Sequence, residues 1–135
     1  MEQNAPILFI FSGLPATGKS TLAQGLSKYI KGVYLRIDTI EQGIRDLCDF
    51  SVEAEGYRLS YLLAHDNLTL GNHVVADSCN PIAISRKEWQ DVALKTESQF
   101  INIEIVCSDQ KEHRYRTENR VASVNNLQLP TWTDI

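Results

Sequence analysis

The run LFIFSGLPATGKSTLAQGL, Leu8 to Leu26, joins a solidly apolar segment to two glycines, a lysine, a serine and a threonine. Ile7 to Phe11 is too short for a buried helix and is closed by Ser12 and Gly13, so it reads as a strand with both faces covered. Beyond the glycines, Leu22, Ala23, Leu26, Tyr29 and Ile30 recur at helical spacing and stop at Gly32, which is expected to cap the helix. Gly13, Gly18, Lys19 and Ser20 between them satisfy G-x-x-x-x-G-K-[ST] in the strand-to-helix setting that the motif requires. The physical reason is local. Glycines let backbone N–H groups converge on phosphate oxygens, and the helix that follows points its positive end at the same anion. The candidate phosphate cradle is therefore Gly13, Leu14, Pro15, Ala16, Thr17, Gly18, Lys19, Ser20 and Thr21. Lys19 is expected to bridge the β- and γ-phosphates, and the Ser20 hydroxyl to ligate Mg²⁺. Replacing Lys19 with Ala is expected to remove the only side-chain cation of the cradle while leaving the fold intact.

Working outward, Val33 to Ile37, Val74 to Ala76 and Phe100 to Val106 read as three more strands. Ile40, Ile44 and Leu47 suggest a second helix beginning near Thr39, and Tyr57 to Leu70 a third. Ser85 and Glu88 form a capping box that opens a fourth helix containing Trp89, Val92 and Ala93. A fifth starts at Asp109. This alternation, free of repeats and long linkers, predicts one α/β domain over 1–135, a mainly parallel sheet with helices on both faces.

Composition narrows the class. Thirteen basic and seventeen acidic residues give a net charge of −4, which argues against a protein that coats nucleic acid through its overall field. Cys48, Cys79 and Cys107 are odd in number and widely spaced, the pattern of buried reduced thiols in a cytoplasmic protein. No apolar run is long enough to span a bilayer, and the first residues carry no basic leader.

The P-loop by itself leaves the reaction open. The guanine motif Asn-Lys-x-Asp, the D-x-x-G switch and the transport-ATPase signature L-S-G-G-Q are all missing from the sequence, so a kinase fits best. YLRID sets Asp38 at the end of the second strand, beside the first helix's N-terminus if the first two strands are adjacent, where ligands of open α/β sheets gather. A carboxylate there can take a proton from an acceptor hydroxyl; its alternative is to cap the second helix. VVADSCNP sets Asp77 at the end of the third strand, where an acid holds Mg²⁺ directly or through water; the neighbouring Asn80 reads as a turn former. DQKEHRYRTENR carries Arg114, Arg116 and Arg120 with almost no apolar stripe, so it reads as a mobile lid over about 109–126. Arg116 and Arg120 share a face and suit a clamp on a transferring phosphoryl group, against the alternative of a solvated face paired with Glu112 and Glu118. Arg45 and Arg86 are candidates for an anionic acceptor or for simple surface charge. His65, His73 and His113 read as packing or solvent-facing groups.

GLPATGKST, LRIDTI, VVADSCNP with Arg86 and Trp89, EHRYRTENR and LPTW together resemble the AAA-like predicted-kinase family of P-loop kinases. Chloramphenicol phosphotransferase, gluconate kinase, adenylylsulfate kinase and polynucleotide kinase are its relatives. The resemblance spans nearly the whole chain. It implies a three-layer P-loop fold with a short arginine-bearing lid helix, ATP as donor with Mg²⁺, Asp38 as base and Arg116 with Arg120 as phosphate grips. It implies an ATP-dependent kinase acting on a small-molecule hydroxyl. The alternatives are a polynucleotide 5′-hydroxyl kinase and a nucleotide-binding regulatory module without turnover. Relatives continue past the segment Leu129 to Trp132 into a last strand, which this chain is expected to lack. If the first strand lies beside the fourth, the fourth strand's edge is open. The tail from Val121 to Ile135 is then expected to fold over that edge, or a homodimer to cover it.

Overall fold

Leu8 and Ile10 are fully buried on one side of their strand, while Phe9 and Phe11 pack on the other. An unbroken apolar run does this when its two-residue period meets helices on both faces. The structure, a computed structural model, describes residues 5–14, 17–79, 83–107 and 109–119, with only the backbone at 83, 84, 116 and 119. The tail from Val121 to Ile135, Asn80, Pro15, Ala16 and Arg120 lie outside the described residues.

In chain order the elements are β1 (Ile7–Ser12), α1 (Lys19–Ile30), β2 (Val33–Arg36), α2 (Ile37–Cys48), α3 (Glu55–Thr69), β3 (Val74–Asp77), α4 (Ala83–Lys95), β4 (Gln99–Glu104) and α5 (Gln110–Asn119). The sheet order is β2-β3-β1-β4 and every pairing is parallel. Leu8 therefore sits between Val74 and Phe100, and Asp77 between Phe11 and Arg36. One face packs Leu8, Ile10, Leu35, Val74 and Ala76 against Ala64, Leu68, Trp89 and Ala93 of α3 and α4. The other packs Phe9, Phe11 and Val75 against Ala23, Leu26 and Ile30 of α1. Three layers result, and each fully buried aliphatic side chain contributes about 1.5–3 kcal/mol relative to an exposed one. Trp89 anchors the thicker side, wholly buried with its ring edge-on to Tyr61 at 4.6 Å. Among the described residues no helix is long and apolar enough to cross a membrane.

Several sequence expectations shift. The first strand does lie beside the fourth, but it is not adjacent to the second, because β3 is inserted between them. Ile37, apolar and β-branched, reads as strand yet opens α2; the N-cap is Arg36 and no side chain caps that helix, so Asp38 is not its cap. α1 ends on Lys31 in the left-handed region (φ 54) rather than on Gly32. Gly32 instead sits in a close approach, since a Cβ there would lie 3.2 Å from the His73 carbonyl oxygen and 3.1 Å from the Ile30 side chain. α4 begins before the Ser85 capping box, which falls inside the helix. α5 starts at Gln110, one residue after the expected Asp109, whose Oδ1 accepts the N–H groups of Lys111 and Glu112 at 2.9 and 3.1 Å. That helix is not a bare cover, however. His113 and Thr117, one turn apart, are buried and dock it through a polar stripe. Among the described residues Phe100 and Ile101 of β4 remain 37% and 44% exposed, while Ile103 of the same strand packs in the α1-side core. None of the three free cysteines is buried, and Cys48 is exposed.

Candidate active site

Parallel strands deliver their carboxyl ends to one edge, and the chain leaves β1 there at Gly13 with φ 150. A side chain at Gly13 would be strained by that dihedral and would run into the Ile105 carbonyl oxygen. Its own N–H reaches the Cys79 carbonyl at 3.4 Å, tying the loop to the segment after β3. Thr17 is buried and its hydroxyl donates to the Leu14 carbonyl at 2.8 Å. Gly18, at φ 90, forms the N-cap of α1, and no side chain caps that helix or adds an acid to its first turn. The N–H groups and positive end of α1 are thereby left for an anion supplied from outside. Leu14 and Thr21 are exposed at the loop's rim.

Lys19 is 9% exposed and pairs with Oδ1 of Asp77, which is itself 2% exposed at the end of β3. The Tyr34 phenol donates to the other carboxylate oxygen, Oδ2, and the Ser20 hydroxyl also bonds to Asp77. Burial pushes the Asp77 carboxyl up, but the Lys19 charge and the three hydrogen bonds outweigh it and hold the group below the usual carboxylate range. The Tyr34 phenol is pushed up to about 12, first by burial and then by the Asp77 charge it faces. Lys19, Ser20 and Asp77, separated by up to 58 positions, thus meet at one point. Lys19 is the ion-pair partner of a buried carboxylate, so Lys19→Ala is expected to cost stability as well as cradle charge, where the sequence alone suggested an intact fold. Beside them, Ser78 Oγ is buried without a hydrogen-bond partner. An orphaned hydroxyl, an uncapped helix start and a close-packed glycine cradle fit a phosphate ligand with a cation.

Asp38 stands in the first turn of α2, half-exposed, two residues past Arg36, which is Asp77's partner in the sheet register. One turn on, Glu41 is pushed up by burial and by Asp38, with Arg45 pulling it down. A cavity of about 230 Å³ lies next to this turn, lined by Tyr34, Leu35, Arg36, Thr39, Ile40 and Leu63; the Arg36 Nε is buried there without a partner. Arg45 bonds the Gln42 side chain at 3.1 Å and Arg86 is exposed. On α5, Arg114 pairs with Glu118 at 2.6 Å on the surface. The backbone of Arg116 belongs to the same helix. His73 Nδ1 accepts the Ile7 N–H at 2.9 Å, His113 is buried and His65 is exposed. Among the described residues no group of three or more His, Cys, Asp or Glu forms a metal cage. Sequence reasoning missed Tyr34. Its signal was present in VYLR, where strand alternation puts a polar-tipped aromatic on the α1 face, the face that Asp77 shares.

A family model described as an AAA domain matches residues 8–133. No curated protein matches the chain. Among solved structures, a suggested kinase from Chloroflexus aurantiacus aligns at 24% identity and TM-score 0.69 over 78% of this chain and 62% of the other. The chain thus spans less than two thirds of that relative. The Mycobacterium tuberculosis APS kinase CysC, solved with AMPPNP and APS, aligns at 19% identity and TM-score 0.63 over 83% of this chain and 69% of its own. A gluconokinase from Sinorhizobium meliloti aligns at 12% and TM-score 0.60, over 87% and 67%. These likenesses agree on a P-loop kinase-like fold.

Proposed function

The chain belongs to the AAA domain family, and from that premise we propose that it is an ATP-dependent phosphotransferase moving the γ-phosphoryl group to a hydroxyl of a small molecule. The observation that carries the reading is the convergence of Lys19, Ser20 and Asp77 at the uncapped start of α1. Gly13 to Thr21 cradle the phosphates with backbone N–H groups, and Lys19 bridges the β- and γ-phosphates. Ser20 and Asp77 hold Mg²⁺, which when bound offsets charge on the phosphate oxygens. Asp38 orients the acceptor and takes its hydroxyl proton as the new O–P bond forms and ADP departs. Arg116 and Arg120 close over the spreading charge.

The test is an ADP-release screen against alcohols, sugars, nucleosides, amino alcohols and 5′-hydroxyl oligonucleotides. Acceptor-dependent ADP release with a small hydroxyl compound is expected. Release only with oligonucleotides shifts the reading to a polynucleotide kinase, and tight Mg-ATP binding without release for any acceptor overturns it in favour of a binding module.

A further inference from the structure

We infer that Tyr34 is a positioning residue that keeps Asp77 aimed at the metal when Lys19 turns away to a phosphate, an inference that rests on the kinase reading above. The ligand-free carboxylate has a donor on each oxygen: Lys19 on Oδ1 and Tyr34 on Oδ2. A triphosphate in the cradle draws the Lys19 ammonium toward its own oxygens, and Oδ1 is released. An aspartate's last torsion is broad and roughly two-fold, so a carboxylate that loses one anchor swings unless the other holds. Tyr34 is built to hold. Its backbone is fixed opposite Val75, two residues before the Arg36–Asp77 pair, so the phenol spans one diagonal of the ladder. Its ring packs in the α1-side core, and the Gln24 amide stands 3.5 Å behind the hydroxyl. With Oδ2 committed to the phenol, Oδ1 would be the oxygen left to hold a cation.

Outer-shell partners of a metal-binding group typically change metal affinity by about 10- to 100-fold when removed. Tyr34→Phe keeps the ring and deletes the donor. Calorimetry with a non-hydrolysable ATP analogue, in EDTA and across a Mg²⁺ series, separates the contributions. In the wild type, Mg²⁺ is expected to tighten analogue binding. In Tyr34→Phe the metal-free affinity is expected to stay within about twofold while the Mg²⁺ concentration for half-maximal tightening rises about tenfold. Tyr34→Gln, which returns a donor, is expected to recover part of that shift, and urea unfolding of each variant reports any general loss of structure. If the wild type shows no analogue binding or no Mg²⁺ response, the kinase reading falls and this inference with it. If the wild type responds and Tyr34→Phe responds equally, only the role of Tyr34 is overturned. Equal loss of metal-free and Mg²⁺-supported affinity likewise overturns it, in favour of a structural part for the phenol.

Discussion

Replacing Lys19 should destabilise the protein before any ligand is considered. The Asp77 side chain is 1% exposed and that of Lys19 10%, so removing the ammonium leaves a buried carboxylate with hydrogen bonds but without its ion-pair partner. Breaking a buried ion pair from one side costs about 3–5 kcal/mol. Protonation sets a ceiling: raising a carboxyl of ordinary value 3.8 to neutrality at pH 7 costs about 3.2 units at about 1.36 kcal/mol each, or about 4.4 kcal/mol. Tyr34 and Ser20 still donate to Asp77, so about 3 kcal/mol is expected for Lys19→Met, a large share of the roughly 5–15 kcal/mol that holds a domain together. The double variant Lys19→Met/Asp77→Asn removes both charges and is expected to return to within about 1 kcal/mol of the wild type. Urea unfolding followed by circular dichroism measures all of these as shifts of midpoint at constant slope. The pH dependence has a defined sign. Asp77 is held below its ordinary value, so its contribution is present above that value and lost as pH falls through the lowered one. In Lys19→Met burial dominates and the carboxyl takes up a proton in acid, so the gap to the wild type is wide at pH 7 and narrows toward pH 4. A gap under about 0.5 kcal/mol at pH 7, well short of the cost of a broken buried pair, would refute the reasoning. So would a double variant no more stable than Lys19→Met.

Asp38→Asn is expected to keep Mg-ATP affinity in calorimetry and to lose acceptor phosphorylation by roughly 10²- to 10⁴-fold in an ADP-release assay; unchanged turnover removes Asp38 from the mechanism. Arg116→Ala and Arg120→Ala are each expected to lower turnover on the order of 10³-fold with a smaller effect on nucleotide affinity, and normal turnover in both returns them to a solvated helix face. Gly13→Ala is expected to cost about 1–3 kcal/mol for the forced positive φ alone, before the displacement of Ile105 is counted; an unshifted urea midpoint contradicts that.

What the sequence made legible was contiguous. The cradle lies in one stretch from Gly13 to Thr21, its flanking strand and helix carry opposite periodicities, and Asp77 closes an unmistakably apolar strand. Pairings across the sheet were not legible, because nothing in LRID or VVAD says that β3 separates β1 from β2 or that Lys19 meets Asp77. Local competition hid other features. Ile37 extends a strand-like run and is nonetheless taken by α2, while Lys31 adopts the left-handed turn that Gly32 next door seemed made for. The docking of α5 was invisible for a different reason. Hydropathy patterns detect apolar stripes, and the buried face of this helix is His113 and Thr117.

The place of β1 between β3 and β4 bears on how the protein comes to exist in time. Parallel neighbours cannot be joined by a tight hairpin, and Leu8 must find both Val74 and Phe100, so much of the central pairing is non-local. Closing such loops costs entropy before any contact repays it, and topologies of this kind fold more slowly than bundles of local contacts. Helices α1 to α3 can flicker into being while Lys19 still lacks its partner, which is 58 positions away along the chain. In refolding from urea, helical signal should therefore recover ahead of the ability to bind a triphosphate, and the interval between the two is the time β3 takes to dock beside β1.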